Sequence, residues 1–266
     1  MKNLFILLLL ASAVLISCQS NESPLVQEEI SVVQDGIRWE GDNEIANYMA
    51  NSGLIHFINI ELSQAYTMSE SAVNVDSSLF ASHTLLGILS SGEKKEYHKK
   101  MAQKYVENEN ETCKLFVSLL DIEDDSTGVE RRKIWTKMHE MSNGPFIHYM
   151  YARTMNIEED TAAVLSELDK VISFCSENGF QSIEAGAYNI KGYLLNLTGD
   201  LQAGTEAIDK YVELYPEGYN PIDSRAEFYL FEGDTTNAIA WYNKVLEKYP
   251  YAQGAIDHLE ELEPED

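Results

Sequence analysis

Positive charge is what this chain most lacks: 19 Lys and Arg face 44 Asp and Glu, a formal charge of −25 at pH 7 with histidine neutral. Such a surface repels phosphate backbones, which excludes nucleic acid as a partner. Proline is also scarce, at six residues, while 44% of positions are hydrophobic and 10% aromatic. That balance belongs to a folded globular chain and not to a disordered acidic one. At this length folding buries roughly 70–75% of the unfolded surface. Of three cysteines, none stands in a C-x-x-C spacing. Cys113 and Cys175 lie in apolar helical stretches, where two buried thiols are expected in preference to a disulfide.

Signatures of catalysis are missing as well. Gly87 to Lys94 spaces two glycines as a P-loop does, but Glu93 occupies the place of the phosphate-binding lysine, where a carboxylate repels phosphate. The run Asp121-Ile122-Glu123-Asp124-Asp125-Ser126 opens like a calcium loop. It lacks the sixth-place glycine and carries Arg132 where the twelfth-place glutamate belongs. The six histidines, at 56, 83, 98, 139, 148 and 258, are scattered. His139-Glu140 lacks the second histidine of a zinc-protease helix, and no G-x-S-x-G elbow occurs. The sequence therefore implies no enzyme, no metal and no cofactor, and leaves surface recognition as the function to consider.

The amino terminus carries a different kind of signal. Met1-Lys2-Asn3 precedes an apolar run, Leu4 to Leu10, too short to span a bilayer, and then small residues up to Leu15-Ile16-Ser17-Cys18. A basic start, a short apolar core and a small residue before the cut make an export signal. The last four residues resemble the lipobox of bacterial lipoproteins. That resemblance implies a signal peptide over 1–17, lipid on Cys18 and a membrane-anchored protein of the bacterial envelope. Acyl chains contribute about 0.8 kcal/mol per buried methylene, so several on one cysteine suffice as an anchor. Gln19 after the cysteine, instead of aspartate, points by analogy to the outer membrane, facing the periplasm. Residues 18–44 are expected to form an acidic flexible tether. Ile30 to Val33 and Ile37 to Trp39 interrupt it with the composition to dock as a short strand or cap.

Strand patterns are nearly absent, and the strongest signal is self-similarity at 34 residues. Gly199 and Gly233 are 34 apart, as are Pro216 and Pro250. With each proline as position 32, Gly192 falls at 8, Gly204 and Ala238 at 20, and the paired glycines at 15. Small residues at 8 and 20 let two antiparallel helices approach. Glycine at 15 turns the chain with φ > 0, and proline at 32 stops the second helix. The period and the residue types are those of a tetratricopeptide (TPR) helix pair. Gly53 and Gly87 repeat the spacing more weakly, with Ala65 at 20, Ala72 at 27 and Ser77 at 32, and a charged helix follows from Glu93 to Val106. Further helical stretches run Cys113 to Leu120, Val129 to Met141, Phe146 to Met155 and Asp160 to Ser176, and Ile256, Leu259 and Leu262 share one face of a closing helix. The expected fold is an all-α, TPR-like right-handed solenoid of about five to six antiparallel helix pairs. Degenerate repeats fill 45–110, divergent ones 111–180, two clear ones 181–250, and a capping helix with an acidic tail 251–266.

The segments Tyr211 to Pro216, Asn220 to Glu227 and Gly233-Asp234 are similar to a carboxy-terminal signature of TPR lipoproteins and exported proteins of Gram-negative bacteria, with Ile222 in place of the usual tyrosine. The resemblance implies a scaffold whose partner is another exported or membrane protein. In such folds positions 2, 5, 9, 12 and 13 of each first helix face a concave groove. Here these are Gly186, Asn189, Tyr193, Asn196 and Leu197, then Asn220, Asp223, Glu227, Leu230 and Phe231. The expected partner-binding residues are Asn189, Tyr193, Asn196, Asn220, Asp223, Glu227 and Phe231: amides to bond an extended backbone, Tyr193 and Phe231 as apolar anchors. Asn220 and Asp223 have a competing role as turn and N-cap residues. Two other functions fit the same chain. One is a receptor that captures a glycan or peptide, for which Trp39, Trp135 and Trp241 are widely spread in sequence. The other is an assembly factor for outer-membrane proteins.

Overall fold

The computed structural model describes residues 36–123 and 126–262. Cys18, the export segment and Ile30 to Val33 lie outside the described residues. Among the described residues there are thirteen α-helices and no strand. They are α1 (Glu44–Ile58), α2 (Leu62–Val75), α3 (Phe80–Ile88), α4 (Gly92–Tyr105), α5 (Glu111–Ser118), α6 (Val129–Met141), α7 (Pro145–Thr154), α8 (Thr161–Asn178), α9 (Gln181–Leu197), α10 (Leu201–Leu214), α11 (Asn220–Phe231), α12 (Thr235–Lys248) and α13 (Gln253–Leu262). Consecutive helices pack as pairs, α1 with α2 through α11 with α12, and α13 closes the row. This is an all-α, TPR-like solenoid of six pairs.

The residues that set the 34-residue period do the packing work expected of them. A Cβ on Gly192 would sit 2.7 Å from Ile208 Cδ1, and one on Gly204 would sit 2.8 Å from the Gly192 carbonyl oxygen, so α9 and α10 approach closer than side chains would allow. Gly53 plays the same part in the first pair, where a Cβ would fall 2.6 Å from Ser69 Oγ on α2. Gly199 (φ +91°) and Gly233 (φ +79°) take the left-handed conformation that ends α9 and α11. The next residue in each case, Asp200 or Asp234, caps the following helix, accepting from the amides of Ala203 (3.1 Å) and Asn237 (3.0 Å). A Gly-Asp dipeptide thus stops one helix and starts the next.

The main apolar core runs from Ile37 to Leu194, a second fills the space between α11, α12 and α13, and two smaller clusters centre on Ala46, Ala72 and Leu86 and on Ile55, Ala185 and Tyr211. Packed residues lie on the amino-terminal side of the expected tether boundary at residue 44. Ile37 and Trp39 are fully buried, and the Trp39 indole packs against Phe116 and Phe146 at 5.5 and 5.6 Å. This strap, residues 36–41, docks as expected but does not pair as a strand. Its ties are the Gly36 carbonyl, which accepts from Asn110 Nδ2 (2.9 Å), and an Arg38–Glu109 ion pair (2.8 Å). In the capping helix Leu259 and Leu262 pack on the second core as expected, and Ala255 is buried beside them in the place expected of Ile256, which is half-buried. Cys113 and Cys175 are both buried thiols.

The row also folds back on itself. The turn between α1 and α2, Asn59 to Glu61, lies against the joint between α10 and α11. Tyr149 Oη donates to the Ile58 carbonyl (2.8 Å) and Tyr211 Oη to that of Asn59 (3.2 Å). Ile60 holds φ +63°, a left-handed conformation that costs a β-branched residue roughly 1–2 kcal/mol. The contacts on either side hold it there and deliver Glu61 to its partners.

Candidate functional site

The predicted groove lies on the first helices of the two clear repeats, α9 and α11, and it divides into two halves of opposite character. The half nearest the start of these helices is closed by the chain itself. Gly186 is buried, and a Cβ there would meet Ile58 Cγ2 at 2.9 Å. Asn189 is buried too: its Nδ2 donates to Asn220 Oδ1 (3.4 Å) and its Oδ1 accepts from Ser224 Oγ (3.2 Å). Asn220 Oδ1 shares the single Tyr211 phenol proton (3.0 Å) with the Asn59 carbonyl. These amides, expected to bond a partner's backbone, bond each other and their neighbours.

Neither Asn220 nor Asp223 is the N-cap of α11. Tyr219 holds that position without a side-chain cap bond. The cap comes from far away: Glu61 Oε1 accepts from the backbone amides of Tyr219 (2.6 Å) and Asn220 (3.2 Å). Its other oxygen accepts from Tyr215 Oη (2.9 Å) and contacts His56 Nδ1 (2.6 Å). Glu61 is 1% exposed, so a carboxylate with four donors at a helix N-terminus takes the place where an outside ligand would otherwise sit.

The second half is open and acidic. Asp223 and Glu227 stand one turn apart on α11, and Tyr193 Oη donates to Glu227 Oε2 across the joint between repeats. Burial pushes the Asp223 carboxyl from 3.8 up to about 6; the Glu227 charge adds to the shift and His258 opposes it. Burial likewise raises Tyr193, reinforced by the Glu227 carboxylate, so the phenol stays protonated as a donor. Apolar side chains frame the carboxylates: Leu197 is 73% exposed and Phe231 47%, each at position 13 of its repeat. Phe231 and Tyr193 meet Phe228 edge-on at 5.3 and 5.4 Å, which braces both rings from beneath. Asn196 is half-buried on the same face. Of the seven predicted residues, Tyr193, Asn196, Asp223, Glu227 and Phe231 thus share this surface, while Asn189 and Asn220 turn inward.

Two of the tryptophans, Trp39 and Trp135, meet the same pair of rings, Phe116 and Phe146, but inside the core. Trp39 and Trp135 are buried in the main core, and Trp241 packs beside Tyr229 on the last repeat. A stacking platform for sugar rings is not formed from them.

No protein-family model matches this chain, and no curated protein does. Among solved structures, it is similar to YrrB, described as a TPR protein with an unusual peptide-binding site, at 15% identity over 81% of this chain and 91% of that one, TM-score 0.36. It is similar also to MamA, at 15% identity over 77% and 92%, TM-score 0.34, and to the MamA RS-1 ArsTM double mutant, at 14% over 78% and 96%, TM-score 0.38. The fold rests on the helix pairing and glycine geometry described above.

Sequence reasoning missed one cluster altogether. His139, His148 and Glu167 come from α6, α7 and α8, and a donor atom from each lies within 4.8 Å of the others. Separations of 9 and 19 residues carry no helical-face signal, so only the packing of three helices reveals the group.

Proposed function

We propose that this chain is an interaction scaffold that binds a protein partner through the open half of the α9/α11 face, and that lipid on Cys18 holds it to a membrane of the bacterial envelope. The observation that carries the recognition half is the carboxylate pair Asp223 and Glu227 framed by the exposed side chains of Leu197 and Phe231. Two carboxylates stand side by side here, Asp223 raised mainly by burial and further by the Glu227 charge, so a Lys or Arg of the partner gains there while its apolar neighbours rest on Leu197 and Phe231. The partner segment is therefore basic and apolar in alternation, from another exported or membrane protein. Support for the anchor is the lipobox resemblance at Leu15 to Cys18.

Both halves are testable in one cell-envelope preparation. A crosslinked pull-down should recover a stoichiometric partner with the native chain and lose it with the Glu227→Gln, Phe231→Ala double variant; equal recovery by both would remove the surface from the function. Separately, Cys18→Ala should move the protein into the soluble fraction, and persistence in the membrane pellet would remove the anchor.

A further inference from the structure

We propose that His139, His148 and Glu167 form a binding site for a divalent d-block cation of the zinc type, which staples helices α6, α7 and α8 together. Glu167 Oε1 stands at the centre of the group, 3.3 Å from His148 Nδ1 and 3.9 Å from His139 Nε2. Tetrahedral coordination with bonds of about 2.0–2.1 Å requires ligand atoms about 3.3 Å apart, so one side of the triangle has this length, a second needs a closure of about half an ångström, and the third, between the two imidazoles, lies within 4.8 Å and closes by rotation of the rings.

The surroundings orient all three groups. The His139 ring stacks on Tyr151 at 4.2 Å and 11°, and it meets the His148 ring at 4.2 Å and 86°, which turns two imidazole edges toward one carboxylate. Lys170 Nζ holds the opposite oxygen, Oε2, at 2.9 Å and so leaves Oε1 facing the imidazoles. Without an ion the Glu167 carboxylate favours a proton on His148 Nδ1; among the described residues His139 Nδ1 and His148 Nε2 have no hydrogen-bond partner, so an ion that takes the near nitrogens moves the protons to these far ones without breaking another bond. The lack of acceptors behind the rings makes binding weaker than at sites where both imidazoles are buttressed. Side chains 24% and 25% exposed for the two histidines, against 8% for the glutamate, give the ion a route in from solvent and leave a coordination position for water.

The donor set selects the class of ion. Two imidazole nitrogens and one carboxylate oxygen suit zinc and its neighbours, whereas calcium and magnesium require a shell of oxygens. The location gives the ion a purpose. Helix α6 buries only Trp135 and Met138, in the part of the row where the repeat pattern is most divergent, and a bond from His139 to two neighbouring helices supplies the anchorage that its polar surface does not.

The test uses the full chain without an affinity tag of histidines, stripped with chelator and titrated with Zn2+ by calorimetry and with Co2+ by visible absorption. Expected are one high-affinity ion per chain, an intense four-coordinate Co2+ spectrum, a rise in melting temperature reversed by EDTA, and no displacement by millimolar Ca2+ or Mg2+. His139→Ala, His148→Gln and Glu167→Gln should each weaken Zn2+ binding at least about ten-fold. A weak octahedral Co2+ spectrum in the native chain, or Zn2+ binding unchanged in the variants or displaced by Ca2+, overturns the site and assigns the ion to diffuse attraction by the acidic surface. The native-chain spectrum decides the matter even if a variant fails to fold.

Discussion

Glu61 caps the helix that begins at Asn220. The carboxylate crosses 159 residues of sequence to accept the first amides of α11, and the same residue holds Tyr215 and His56. An N-terminal helical hairpin and the last two repeats are thereby joined at one buried charge, so the row of pairs behaves as a partly closed ring at this point and not as an open stack of nearest neighbours.

Removing that charge should be costly. Glu61→Ala leaves two backbone amides and a phenol without their acceptor, and a loss of about 3 kcal/mol is expected in urea unfolding. Glu61→Gln keeps one carbonyl acceptor and should lose less. A change below about 0.5 kcal/mol in the alanine variant would mean that the joint contributes nothing to stability.

The close contact of α9 with α10 predicts a second loss. Leucine at Gly192 or Gly204 must displace Ile208, Phe228 or the opposite backbone, at a cost of about 1–3 kcal/mol. Thermal unfolding reads this directly, and an unchanged midpoint would remove the repeat register from which both glycines were identified.

Asp223 gives a pH signature. Its carboxyl titrates near 6 when folded against 3.8 as the ordinary value, so the folded chain holds the proton longer and stability falls as pH rises from about 4 to 6. Asp223→Asn should match the native chain at pH 3.8 and below and gain on the order of 1–2 kcal/mol above pH 6. A gain independent of pH would assign the effect to packing.

His83 carries the opposite sign. Burial, with the charge of His98 adding to it, holds its imidazole near 4 against the ordinary 6.5, and its Nδ1 lies 3.0 Å from His98 Nδ1. The unfolded chain therefore takes up a proton first, and stability is lost as pH falls from about 6.5 to 4. His83→Gln should flatten that acid limb in melting temperature against pH; a limb of undiminished slope would exclude His83 as its origin.

The helices were legible because glycine and proline punctuate them. Gly199, Gly233, Pro216 and Pro250 each do one mechanical job at a fixed place, and such jobs leave residue types behind them. The docking of Ile37 to Trp39 was legible as an apolar interruption of an acidic stretch, but a tether boundary drawn at residue 44 from averaged composition left these two core residues outside the body. Long-range closure left no trace at all. Asn59 and Glu61 carry no pattern in the sequence, since their partners at 211–220 share no period with them. The same limit explains the groove: Asn189 and Asn220 occupy the positions expected, but the turn at 59–61 covers the half where they lie. Tyr193, Asp223 and Glu227 keep the expected face, with His258 of α13 at its edge, 3.9 Å from Glu227.

Trp39 enters the main core between Phe116 and Phe146, and the strap that carries it is pinned by Asn110 and Glu109. Any pull on the chain upstream is therefore transmitted to the aromatic centre of the body, where it meets the resistance of the whole, and not to a terminal helix that could peel away alone.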